Sequence, residues 1–138
     1  MGEVGLDPPF RALSIIGLGL IGGSIALAVR ERWPATRITG VDRKAVLAHA
    51  LGGGAIDRAV DSAADAADAD LIILAAPVRQ NLKLLSEVAQ RLPSTAIVTD
   101  VGSTKRGIVD ASSALGCSSF VGGHPIGGAE QGGHGSSL

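Results

Sequence analysis

The run Leu13-Ser14-Ile15-Ile16-Gly17-Leu18-Gly19-Leu20-Ile21-Gly22 decides the fold: an apolar stretch, glycines spaced G-x-G-x-x-G, then a helical pattern. Residues 13–17 predict a short strand ending in glycine, and residues 20–32 predict a helix stopped by Trp33-Pro34. Strand, tight turn and helix in that order are the context that gives the glycine spacing its meaning. Gly17 permits the turn. Gly19 lacks a Cβ, so a pyrophosphate can approach the backbone, and Gly22 lets the helix pack close to the sheet. The amides that open the helix, those of Leu20, Ile21 and Gly22, act with its dipole to offer a pyrophosphate site that needs no lysine.

Reading on from the glycines, residues 37–41 predict a second strand, and Asp42 stands at its end, about 20 residues beyond Gly22. An acid at that place suits the adenosine ribose hydroxyls and repels a 2′-phosphate, which favours NAD over NADP. Arg43 leaves NADP open, because a guanidinium can stack on adenine or meet a 2′-phosphate.

The alternation continues to the end of the chain. A helix over 43–51 ends at Gly52-Gly53-Gly54, a short third strand falls within 55–60, and 61–68 is an Ala-rich short helix or turn. The continuous apolar run 71–76 predicts a strand buried on both faces. Residues 78–92 predict an amphipathic helix, with Leu82, Leu85, Val88, Ala89 and Leu92 at helical spacing. A strand over 96–101, a helix over 104–115 and a last strand over 119–121 follow. Strand alternating with helix implies an α/β fold, a parallel sheet with helices on both faces, and right-handed crossovers make it a doubly wound sheet of Rossmann type. The expected organisation is a tail over 1–10, a dinucleotide-binding domain over 11–126, and a second tail over 127–138 that is poor in core residues.

Composition narrows the alternatives. The chain has 138 residues, the size of one domain, and a net charge of −1, so no global basic field exists to attract nucleic acid or acidic membranes. Any anion must be held by local geometry. Cys117 is the single cysteine, which excludes an internal disulfide and a cysteine-based metal cluster; it reads as a small buried apolar residue, and no metal is expected. The first residues lack a charged segment followed by an apolar one, Leu6 breaks the myristoylation pattern, and no apolar stretch is long enough to span a bilayer. A cytoplasmic protein without membrane partners is the expectation.

In an open α/β sheet, ligands lie outside the carboxyl ends of the strands. Ala75-Ala76-Pro77-Val78 follows the fourth strand and reads as a rigid, narrow wall beside the dinucleotide. Asp100-Val101-Gly102-Ser103-Thr104-Lys105 follows the fifth; Ser103 or Thr104 is a natural helix N-cap, and a hydroxyl there can also position a substrate alcohol. Lys105 reads as solvated. Gly122-Gly123-His124-Pro125-Ile126-Gly127-Gly128 follows the sixth and sets His124 on a stiff loop, where an imidazole can take the proton that an alcohol loses as hydride leaves its carbon. His49, in a helix, and His134, in the tail, read as unrelated to chemistry.

Together these motifs resemble the prephenate/arogenate dehydrogenase family. The likeness rests on I-I-G-L-G-L-I-G-G-S at 15–24, A-D-L-I-I-L-A-A-P-V at 69–78, T-D-V-G-S-T-K at 99–105 and G-G-H-P-I-G-G-A-E at 122–130. It implies an oxidative decarboxylation in tyrosine biosynthesis: hydride passes from the hydroxyl-bearing ring carbon to NAD(P), carbon dioxide leaves, and the ring becomes aromatic. By the same resemblance His124 is the acceptor or base for the substrate hydroxyl, Ser103 helps orient it, and Gly17, Gly19, Gly22 and Asp42 hold the cofactor. The family carries a second, helical domain after the histidine motif, which builds a homodimer and supplies an arginine for a substrate carboxylate. The chain is therefore expected to be the cofactor part, to bind NAD and to turn over prephenate poorly or not at all by itself. Arogenate as substrate, a β-hydroxyacid-type or imine-reducing dehydrogenase, and a non-catalytic NAD-binding module are the other readings.

Overall fold

The computed structural model describes residues 7–102 and 106–123. Six parallel strands form one sheet in the order β3-β2-β1-β4-β5-β6. The strands are β1 (Ala12–Ile16), β2 (Arg37–Val41), β3 (Arg58–Ala59), β4 (Leu71–Leu74), β5 (Ile97–Asp100) and β6 (Phe120–Val121). Four helices connect them: α1 (Leu20–Arg32), α2 (Lys44–Gly52), α3 (Val78–Ala89) and α4 (Arg106–Ala114). The order reverses at β1, where the chain turns from one half of the sheet to the other. This is the doubly wound fold expected from the alternation.

β1 and β4 lie at the centre, and each is buried along nearly its whole length, as a strand covered on both faces must be. The two faces carry separate cores. Ile16, Ile72, Leu74 and Val98 meet Leu85 and Val88 of α3 and Ile108 of α4 on one side. Leu13, Ile15, Ile38 and Ile73 meet Ala26 of α1, Leu47 of α2 and Ile56 on the other. Asp70 joins β1 to β4 at their starts, accepting the Arg11 and Ala12 N–H groups at 2.9 and 3.0 Å.

α1 and β2 lie where expected, while β1 and α2 are shifted by one residue and several other elements are shorter. β1 stops at Ile16, because Gly17 already turns with a φ of +102°. β4 ends at Leu74, leaving Ala75 and Ala76 in the loop. α3 ends at Ala89 rather than residue 92: Leu92 precedes Pro93, whose ring disfavours helical backbone before it, yet Leu92 still packs on the core. Residues 61–68 contain one 3-10 turn, Ala64–Ala66. The described part of the fourth helix starts at Arg106; its expected start at Thr104 lies outside the described residues. Pro9 and Phe10, expected in a tail, line an apolar cavity of about 140 Å³ with Leu13, Trp33 and Leu71. Cys117 is half-buried against the first core.

What positions the site is register. Val41 pairs with Ile16, Ile16 with Leu74, and Leu74 with Asp100. Four strands thus end on one line, and the next residues along each chain, Asp42, Gly17, Ala75 and Val101, emerge at one edge of the sheet. Among the described residues, no helix is long and apolar enough to cross a membrane.

Candidate functional site

The edge opens into a cleft of about 480 Å³ above the reversal point of the sheet. Gly17 and Gly19 form its floor, Asp42 and Arg43 one side, and Ala75, Ala76 and Pro77 the other.

The floor is shaped by what a Cβ would strike. At Gly17 it would lie 2.7 Å from the Ala75 carbonyl carbon and the Ala76 nitrogen, and the φ of +102° is one that L side chains rarely adopt. At Gly22 it would strike the Gly17 carbonyl oxygen, so α1 can start this close to the turn only without a side chain there. At Gly19 a Cβ would meet nothing within 4 Å. The backbone is therefore bare where a pyrophosphate needs room. Gly19 caps α1 with no side-chain hydrogen bond, and no acidic residue stands in the first turn. The first amides of a helix have no intrahelical acceptor, so those of α1 are left for an anion.

Asp42, half-buried at the end of β2, is bound into this floor. One carboxylate oxygen accepts the Leu18 N–H at 2.6 Å and the other accepts the Arg43 N–H at 2.7 Å. A carboxylate has about four acceptor positions, so two bonds orient it and leave capacity for hydroxyl donors. Leu18 reaches this position because β2 carries Gly40. A Cβ at Gly40 would lie 2.8 Å from Leu18 Cδ1 and 3.0 Å from Ile56 Cδ1.

The opposite wall has its own buried support. Asn81 of α3 is 1% exposed. Its Oδ1 accepts the Ala76 N–H at 3.1 Å and its Nδ2 donates to the Leu74 carbonyl at 3.3 Å. One side chain thus satisfies both backbone groups where β4 gives way to the wall.

Of the residues expected from sequence to hold the cofactor, Gly17, Gly19, Asp42, Arg43, Ala76 and Pro77 line the cleft together. Leu20 does not. Its side chain is 86% exposed and borders a second cleft of about 330 Å³ between α1 and α2, which also takes in Leu27, Val46 and His49. Ile21, Gly22 and Val78 are not among the lining residues; Ile21 and Gly22 belong to the first turn of α1, and Val78 opens α3. Ser103 and His124, the two residues expected to act on substrate, lie outside the described residues, as does His134. Among the described residues no cluster of three His, Cys, Asp or Glu groups is arranged to hold a metal. Gln80 and Leu84, which complete the cleft, and Asn81 and Gly40, which support it, were not singled out from sequence. Asn81 left a signal: it sits at helical spacing with the buried Leu85 and Val88, where a polar side chain needs a partner.

The family described as prephenate dehydrogenase, nucleotide-binding domain, matches residues 25–138. The chain is 41% identical over 127 residues to a prephenate dehydrogenase of Lactococcus lactis, covering 89% of this chain and 36% of that one. Among solved structures, it resembles prephenate dehydrogenase from Aquifex aeolicus in complex with hydroxyphenyl propionate and NAD+, with a TM-score of 0.77 and 32% identity over 91% of this chain and 44% of that one. It equally resembles Synechocystis arogenate dehydrogenase, with a TM-score of 0.77 and 35% identity over 85% of this chain and 41% of that one. The chain thus spans less than half the length of each.

Proposed function

The chain belongs to the prephenate dehydrogenase family, matching its nucleotide-binding domain, and from that premise we infer that it binds NAD in the cleft at the end of β1, β2 and β4. The observation that carries this reading is the Asp42–Leu18 bond at 2.6 Å, which fixes a carboxylate at the rim of a glycine floor. In this reading the α1 amides and Gly19 receive the pyrophosphate, Asp42 accepts from the adenosine ribose hydroxyls, and Ala76 and Pro77 bound the dinucleotide. Arg43, Gln80 and Leu84 face the adenine end.

The reaction is the oxidation of prephenate to 4-hydroxyphenylpyruvate with loss of carbon dioxide. NAD supplies a hydride acceptor. The protein's part is to hold the hydroxyl-bearing ring carbon beside it and to take the hydroxyl proton as hydride leaves. His124 accepts the hydroxyl hydrogen bond or proton and Ser103 orients the hydroxyl; as the bond to the carboxyl breaks and carbon dioxide leaves, its electron pair makes the ring aromatic and the proton stays on, or returns to, the phenol oxygen. Supporting this assignment, the residues just before them in sequence, Gly123 and Gly102, follow β6 and β5 at the carboxyl edge that carries the cleft. Prephenate is the proposed substrate, with the 41% identity to the Lactococcus lactis prephenate dehydrogenase in its support, and arogenate is the alternative.

Calorimetric titration with NAD, and with NADP in parallel, tests the cofactor assignment. NAD should bind, with NADP at least about tenfold weaker, one close like-charge contact being worth about 1.4 kcal/mol or more. Preference for NADP means that Arg43 outweighs Asp42. With neither bound, the cleft is not the cofactor site.

A further inference from the structure

Asp100 is a buried acid that the scheme above does not use. It closes β5 and is 1% exposed. Its two carboxylate oxygens bind two different loops. Oδ2 accepts the Gly102 N–H at 3.1 Å, in the loop after β5. Oδ1 accepts the Gly123 N–H, also at 3.1 Å, in the loop after β6. The loop after β6 is pressed against the end of β5. A Cβ on Gly123 would lie 2.5 Å from the Asp100 carbonyl oxygen and 3.0 Å from Thr99 Oγ1.

The chemistry favours a carboxylate for this task. An ionised carboxylate is acceptor-only, so each oxygen can take an N–H at the same time. An amide side chain would turn an NH2 group toward one of the two donors. Gly102 is followed by Ser103 and Gly123 by His124. One carboxylate therefore holds the backbone immediately before each residue assigned to substrate.

We propose that Asp100 is a positioning residue that ties the loop after β5 to the loop after β6 by holding Gly102 and Gly123, the residues that precede Ser103 and His124 in sequence. The proposal rests on the functional reading only through the roles of those two residues; the tie itself stands on the described geometry.

The test compares the wild-type chain with Asp100→Asn and Gly123→Ala by amide hydrogen exchange and by the ring signals of His124, assigned with a His124→Asn variant. In Asp100→Asn the Gly102 and Gly123 amides should exchange about tenfold faster, as expected for a lost charge-assisted hydrogen bond. The His124 ring signals should shift in both variants, although neither changes His124. Gly123→Ala pushes the Gly123 backbone away from the Asp100 carbonyl while leaving the carboxylate in place, and decides the matter if Asp100→Asn does not fold. Faster exchange with unmoved His124 signals would reduce Asp100 to a local cap and overturn the proposal, as would unchanged exchange at both amides. Addition of NAD to the same samples reads the cofactor assignment separately: its amide shifts at Leu18 and Asp42 should persist in both variants, and their absence from the wild type would count against that assignment alone.

Discussion

At the scale of single residues, the site depends on places where a side chain is missing. Gly17→Ala combines a φ of +102° with a Cβ 2.7 Å from the backbone of the neighbouring loop. It should cost about 2–3 kcal/mol in thermal or urea unfolding, the sum of a strained backbone and an overpacked contact. Gly40→Val should act more locally. Its side chain would displace Leu18, whose N–H orients Asp42. Weaker NAD binding by about tenfold is expected, equivalent to the loss of one hydrogen bond to a charged group. Gly23→Ala is the control: the nearest contact of its Cβ is an ordinary 3.5 Å, inside a helix. That substitution should be neutral or stabilise the fold by up to about 1 kcal/mol.

Of these three glycines, Gly17 was readable from the spacing of the sequence, for reasons of backbone geometry that need no tertiary knowledge. Gly40 was not. Its requirement comes from Leu18 and Ile56, which the chain brings together only on folding. Asn81 and Asp100 likewise join groups that local pattern does not connect.

At the scale of elements, the wall after β4 relies on Asn81. Asn81→Ala leaves the Ala76 N–H without that partner, while the Leu74 carbonyl keeps the Val101 N–H at 3.1 Å. A cost of about 1–3 kcal/mol in urea unfolding follows, with weaker NAD binding as the wall loosens. The far end of α1 is held by a different device. Arg30 donates to the Gly54, Pro34 and Thr36 carbonyls and pairs with Asp57 at 2.6 Å. Burial alone would raise the Asp57 pKa, but the Ile38 N–H and the Arg30 guanidinium outweigh it and leave the carboxyl below its ordinary value of 3.8.

A lowered folded-state pKa means that the contribution of Asp57 to stability is complete above the unfolded value and is lost as pH falls through the folded one. Asp57 is partly exposed, so the whole effect is small, about 1 kcal/mol. Asp57→Asn should therefore lower the urea midpoint near neutral pH, and the gap from wild type should narrow once pH falls below about 3.8. A gap that widens on acidification would contradict the assignment.

At the scale of the whole molecule, the fold was largely legible because alternating apolar runs and helical patterns leave few arrangements for a parallel sheet. Strand order β3-β2-β1-β4-β5-β6 follows once crossovers are right-handed and the glycine turn marks the first strand. Element ends were less legible. Ala75 and Ala76 read as strand by composition, yet they bend away as the Gly17 turn packs against them. Leu92 kept its apolar contact after the helix had ended, since burial and helix backbone are separate demands. The same register that closes the sheet delivers Asp42, Gly17 and Ala75 to one edge, so fold and cleft arise from one arrangement.

The central claim is that the cleft between Asp42 and Ala76 is where NAD binds. Its most direct test is the amide spectrum of the chain titrated with NAD. Shifts should concentrate at Gly17, Leu18, Gly19, Asp42 and Ala76, with little change around Leu27, Val46 and His49 in the neighbouring cleft between α1 and α2. Shifts confined to that second cleft, or none with the chain folded, would contradict the account.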